Sequence, residues 1–103
     1  MICIIAMRFD GFAWDGGNLD KCRKHGVTIA EIESLFAGTP LVSQDARHSQ
    51  IEQRFRAVGR TEKGRNLFVV FTWRNSDGGR MIRPLSARYM HEKEVRAHEE
   101  EIP

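Results

Sequence analysis

At 103 residues the chain is sized for one domain with one modest core, spanning residues 1–103. Its 41% hydrophobic and 29% charged residues are ordinary for a soluble globular protein and exclude a disordered one. The opening apolar run, residues 1–7, falls far short of the ~20 residues of a membrane helix and lacks the basic start of a signal peptide. The net charge of +2 conceals an asymmetry: −2 over residues 1–45, +7 over residues 46–88 and −3 over residues 89–103. A basic field of that size favours a polyanion, of which RNA is the commonest. Cys3 and Cys22 have neither metal-ligand spacing nor a disulfide framework, so they read as reduced thiols in a cytoplasmic protein. Nothing in the pattern calls for a metal or another cofactor.

Residues 1–6 read as an edge strand or an N-terminal extension, with Met7 as an alternative start. A first helix is predicted from about Asn18 to His25, capped by Asp15 or Asn18 and stopped by Gly26. A second begins at Thr28, where Thr28 and Glu31 form a capping box flanked by the staple pair Val27 and Ile32. Ile29, Ile32, Leu35 and Phe36 make its apolar stripe, and Gly38 and Pro40 end it. Strands follow. Residues 54–60 alternate, with Phe55, Ala57 and Gly59 on one side and Arg54, Arg56 and Val58 on the other. A hairpin turn at residues 62–64 leads into the continuously apolar run from Leu67 to Thr72, which belongs in the middle of a sheet. A second hairpin loop at residues 75–79 leads to a strand from Arg80 to Ser86, where Pro84 marks an edge or a bulge. A charged helix closes the chain from His91. Helices first, strands next and a last helix predict an α+β fold: a small antiparallel sheet with two N-terminal helices and one C-terminal helix.

The residues suited to handling RNA lie mostly in the basic segment. Arg54, Arg65, Arg74, Arg83 and Arg88 are candidates to neutralise a phosphate, because the guanidinium fork binds phosphate oxygens in pairs and stays charged. Arg74 and Arg83 flank one hairpin; facing each other across it, they would form a phosphate clamp. Each arginine also has a plain structural role open to it: Arg54 beside Glu52, and Arg88 beside the last helix. His48, in an irregular stretch, is the preferred acid–base group, while His25 is explained by its place at a helix C-terminus. Arg56, Lys63, Lys24 and His25 are further RNA contacts, and Trp73 is a candidate base-stacking surface. Trp14 is expected to pack beneath the helices, and His91 and His98 to lie on the surface.

Several motifs, taken in order, resemble one family. Trp14 and Asp15 precede Lys24, His25, Gly26 and Val27. His48 and Ser49 follow Asp45 and precede Glu52 and Arg54. Gly59, Gly64 and Arg65, the run from Leu67 to Thr72, Arg83, and then Ser86, Ala87 and Arg88 complete the series. Over about residues 9–96 the chain resembles the BrnT family of type II toxins. The resemblance implies a RelE-like fold and a ribonuclease that cleaves RNA without a metal, inhibiting translation and growth. It also implies a ribbon-helix-helix antitoxin like BrnA. Operator DNA is then reached only through that antitoxin, and two copies of each protein form a heterotetramer. The chain departs from the commoner pattern at Gly16, Gly17 and Pro84 and in its glutamate-rich end. The alternative reading is a non-catalytic module of the same fold that binds antitoxin or nucleic acid. No membrane partner is expected.

Overall fold

The computed structural model describes residues 2–4, 8–45, 53–76 and 78–101. Met7, offered above as an alternative start, lies outside them. Six strands and three helices follow in the order β1 (Ile2–Ile4), β2 (Gly11–Phe12), α1 (Gly16–Arg23), α2 (Ile29–Ala37), β3 (Leu41–Gln44), β4 (Phe55–Arg60), β5 (Asn66–Ser76), β6 (Gly79–Tyr89) and α3 (Glu92–Glu101). One sheet takes the order β1-β3-β4-β5-β6-β2. All its pairings are antiparallel except β2 with β6, which are parallel. The fold is α+β as expected, but the sheet is mixed rather than purely antiparallel. β1 takes an edge of the sheet, the first of the two readings given to residues 1–6. β2 before α1 and β3 after α2 were not expected; with two and four residues they are too short for alternation to announce them.

The caps behave as their chemistry dictates. Asp15 starts α1: its Oδ1 accepts from the Gly17 and Asn18 amides at 2.9 and 3.2 Å, and the Asn18 side chain reciprocates to the Asp15 amide at 2.7 Å. The helix therefore begins two residues earlier than the sequence suggested and ends two earlier, at Arg23. Gly26 takes a φ of 83° in the connection to α2. Thr28 and Glu31 form the expected capping box.

β5 lies inside the sheet between β4 and β6, as its apolar run required. Its alternation sends Leu67, Val69 and Phe71 into the core, all fully buried. They meet Cys22, Ile32, Leu35 and Phe36 from the helices and Val27 from the connection between them, with Ala57, Ile82 and Ala87 from the neighbouring strands. Aromatic rings run through this layer: Phe36 stands edge-on to Phe71 at 5.0 Å and to Phe12 at 5.9 Å. Pro84 sits at a β-bulge. Val70 pairs with Ser86 and Phe71 with Pro84, so Leu85 has no opposite number. The Pro84 carbonyl accepts from the Asn18 side chain at 2.8 Å, which fastens α1 to β6.

Candidate functional site

Strand alternation divides the arginines of the basic segment between two faces. On the face turned away from α1 and α2, register sets Arg56, Val70 and Ser86 in one row and Val58, Phe68 and Arg88 in the next. Arg56, Arg60 and Arg74 are exposed there. Arg88 is not free: its two terminal nitrogens donate to Glu94 of α3 at 2.7 and 2.8 Å, and its guanidinium lies 4.6 Å from the centre of the Phe68 ring. The pair holds the Glu94 carboxyl down to about 2, chiefly through the Arg88 hydrogen bonds and then the His91 amide.

The proposed clamp of Arg74 and Arg83 does not form. Arg74 lies opposite Met81, and Arg83 opposite Thr72, so the two are diagonal neighbours. Arg83 already has a carboxylate: its Nη1 is 2.8 Å from Asp15 Oδ2, with the arginine side chain only 17% exposed. The Asn18 amide, followed by the Arg83 hydrogen bond, holds the Asp15 carboxyl below its usual value. No like-charge repulsion there calls for an anion.

A different cluster gathers where α2 meets the β4–β5 turn. Gly64, at φ 81°, lets the turn close, with the Gly64 amide donating to the Thr61 carbonyl at 2.9 Å and the Thr61 amide to the Arg65 carbonyl at 2.8 Å. The Glu62 amide donates to Ser34 Oγ at 3.3 Å, and that hydroxyl donates to the Glu31 carbonyl at 2.8 Å, so the turn is tied to α2. Arg65 then projects over the ring of Tyr89, 3.5 Å from its centre. The Tyr89 hydroxyl donates to Glu31 Oε1 at 2.6 Å. Glu31 is 2% exposed, and its Oε2 has no hydrogen-bond partner among the described residues. Burial pushes the Glu31 carboxyl up, but Tyr89, the Thr28 amide and hydroxyl, and nearby Lys63 pull it down further, leaving it below its ordinary value. The bond to Glu31, with burial, pushes the Tyr89 hydroxyl up, while Arg65 opposes this.

The remaining candidates are scattered. Lys63 is exposed in the same turn as Arg65, and Lys24 and His25 are exposed in the connection before α2. Arg54 is half-buried just ahead of β4. Trp73 is not an open stacking surface: it stands edge-on to Phe71 at 5.6 Å, and Arg80 covers its ring at 3.5 Å. Trp14 packs against the core and donates to Glu33 at 3.1 Å. His48, the chosen acid–base group, lies outside the described residues, as does Glu52. Among the described residues no three His, Cys, Asp or Glu side chains are grouped to hold a metal, and no helix is long and apolar enough to cross a membrane. The sequence reading missed Asp15 as the partner of Arg83, and it missed both Tyr89 and Glu31 as neighbours of Arg65. Glu31 was visible only as a helix cap.

A family model for the ribonuclease toxin BrnT of type II toxin–antitoxin systems matches residues 14–94. The chain belongs to the BrnT family. The matched stretch runs from Trp14, beside the α1 cap, to Glu94, the partner of Arg88, and so takes in the Arg83–Asp15 and Arg88–Glu94 pairs and the Arg65 cluster. Membership makes this a toxin of the ribonuclease class and implies an antitoxin partner. No curated protein matches the chain.

Proposed function

We propose that this BrnT family member is a metal-independent endoribonuclease, acting in the cytoplasm, that cuts RNA and so arrests translation and growth until an antitoxin covers it. One observation carries the reading. Arg56, Arg60, Arg65, Arg74 and Arg80, all on or beside β4–β6, are exposed and have no carboxylate partner among the described residues. Guanidinium groups left unneutralised on a rigid sheet suit a phosphodiester chain.

Cleavage without a metal uses the ribose 2′-hydroxyl. Its oxygen bonds to phosphorus as the bond to the 5′ oxygen breaks; one group takes the 2′ proton and another supplies a proton to the leaving oxygen. The protein must also meet the charge that develops on the phosphoryl oxygens, which is commonly the largest catalytic contribution. We assign that task to Arg65, whose donors make no hydrogen bond among the described residues and whose backbone is pinned by the turn. Lys63, exposed in the same turn, holds a flanking phosphate; Arg56, Arg60 and Arg74 are given to RNA that continues over the other face of the sheet, and His48 keeps the proton-transfer role on the chemistry of its side chain. Arg83 and Arg88, already neutralised, are assigned to fastening β6 to the cap of α1 and to α3. The antitoxin is taken to be a ribbon-helix-helix protein like BrnA, which brings operator DNA to a complex with two copies of each chain.

Induction of the protein in cells lacking antitoxin is expected to arrest growth and fragment RNA, and purified protein should cut RNA equally well with and without EDTA. Unchanged growth and intact RNA would leave a module that only binds antitoxin or nucleic acid. Inhibition by EDTA would overturn the metal-free mechanism.

A further inference from the structure

We infer that Tyr89, fixed by Glu31, is a positioning residue that presets Arg65 for the phosphate; the inference rests on the ribonuclease reading above. A free arginine side chain samples many rotamers, and ordering it costs binding energy. Here the Tyr89 ring occupies one face of the guanidinium, with 3.5 Å from the Arg65 carbon to the ring centre. Stacking uses the face of the group and leaves its in-plane N–H donors outward. Among the described residues those donors make no hydrogen bond, and Arg65 is exposed. The platform is itself immobilised. The Tyr89 hydroxyl is tied at 2.6 Å to Glu31, a carboxylate buried at the start of α2 that also accepts from the Thr28 amide and hydroxyl at 3.3 and 3.2 Å. From the other side, the Gly64 turn and its Ser34 link fix the backbone from which Arg65 departs. Stacked pairs of this kind gain strength as water is excluded, so closure of RNA over the site reinforces the arrangement. Arg80 over Trp73 repeats the stacking at 3.5 Å, but no buried carboxylate among the described residues anchors that ring.

The experiment is steady-state cleavage of a 5′-labelled single-stranded RNA by the full chain freed of antitoxin, with the wild type, Arg65→Ala, Tyr89→Phe, Tyr89→Leu and both Tyr89 changes in the Arg65→Ala background. Arg65→Ala is expected to lower kcat about 100-fold. Tyr89→Phe keeps the ring and should lose no more than about five-fold, whereas Tyr89→Leu should approach the Arg65→Ala rate with KM little changed. In the Arg65→Ala background neither Tyr89 change should slow cleavage further, because the residue acts through Arg65. Melting curves separate these effects from unfolding; if Tyr89→Leu does not fold, the Tyr89→Phe pair supplies the same cycle. Wild-type kcat in folded Tyr89→Leu, or an equal loss from a Tyr89 change with and without Arg65, overturns the inference while leaving the ribonuclease. No cleavage by the wild type overturns the ribonuclease and the inference with it, and full kcat in Arg65→Ala removes Arg65 from the site.

Discussion

Cys22 shows how strongly location governs a side chain here. It is fully buried in α1, and burial pushes its thiol up to about 11, with the charge of Arg83 pulling the other way. A thiol in that state is a packing group rather than a nucleophile. In a Cys3→Ser background, native protein at pH 8 should therefore resist iodoacetamide while denatured protein is labelled within minutes; rapid labelling of the native form would contradict the assignment. What the sequence reveals of the site divides on the same line. Arg56, Arg65 and Arg74 could be named in advance, because charge in a strand segment is visible residue by residue, whereas Arg60 and Arg80 were not singled out. The partners of site residues could not be named. Asp15 lies 68 residues from Arg83, and Glu31 lies 58 residues from Tyr89. No local pattern encodes such a pairing; it appears only once β6 has been laid beside β5 and under α1. Tyr89 was hidden further by the bulge at Leu85, which shifts every pairing beyond it by one residue.

At the level of elements, the caps, the central strand and the proline bulge were readable because each rests on a short-range rule. The short strands β2 and β3 were not, because their place is set by strands far along the chain. Gly79 illustrates such a dependence. It has a φ of 151°, and a Cβ there would run into the Asp10 carboxylate, whose Oδ2 accepts from the Arg80 amide at 2.7 Å. Gly79→Ala should cost about 1–3 kcal/mol in chemical denaturation, from backbone strain and loss of that bond together; an unchanged midpoint would show that the β2–β6 junction tolerates a side chain. α3 depends on a different contact, the Arg88–Glu94 pair. Glu94 is held below its ordinary 4.5, so its contribution is complete above about pH 4.5 and is lost as the pH falls toward 2. The partners are about one-third exposed, which keeps the effect modest. Wild type should accordingly lose more thermal stability between pH 5 and pH 2.5 than Glu94→Gln does. Equal losses would show that the pair is energetically silent.

Across the whole molecule, the basic segment does not form one patch. Arg56, Arg60 and Arg74 occupy the sheet face away from α1 and α2, while Arg65 and Arg80 lean over aromatic rings that pack on the helical side. Charge counting along the sequence found the segment but not this division, which strand alternation imposes. The same topology places β2 against β6: Gly11 pairs with Met81, and Asn18 reaches Pro84. β2 and the start of α1 thus have no seat on the sheet until β6 exists. During translation the nascent polypeptide can form α1, α2 and the β4–β5 meander, yet Tyr89, on which Arg65 rests, arrives only with the end of β6. Prematurely terminated products lack that support and the strand that β2 completes. Only chains read past Tyr89 can therefore seat Arg65 on its ring and give β2 its partner.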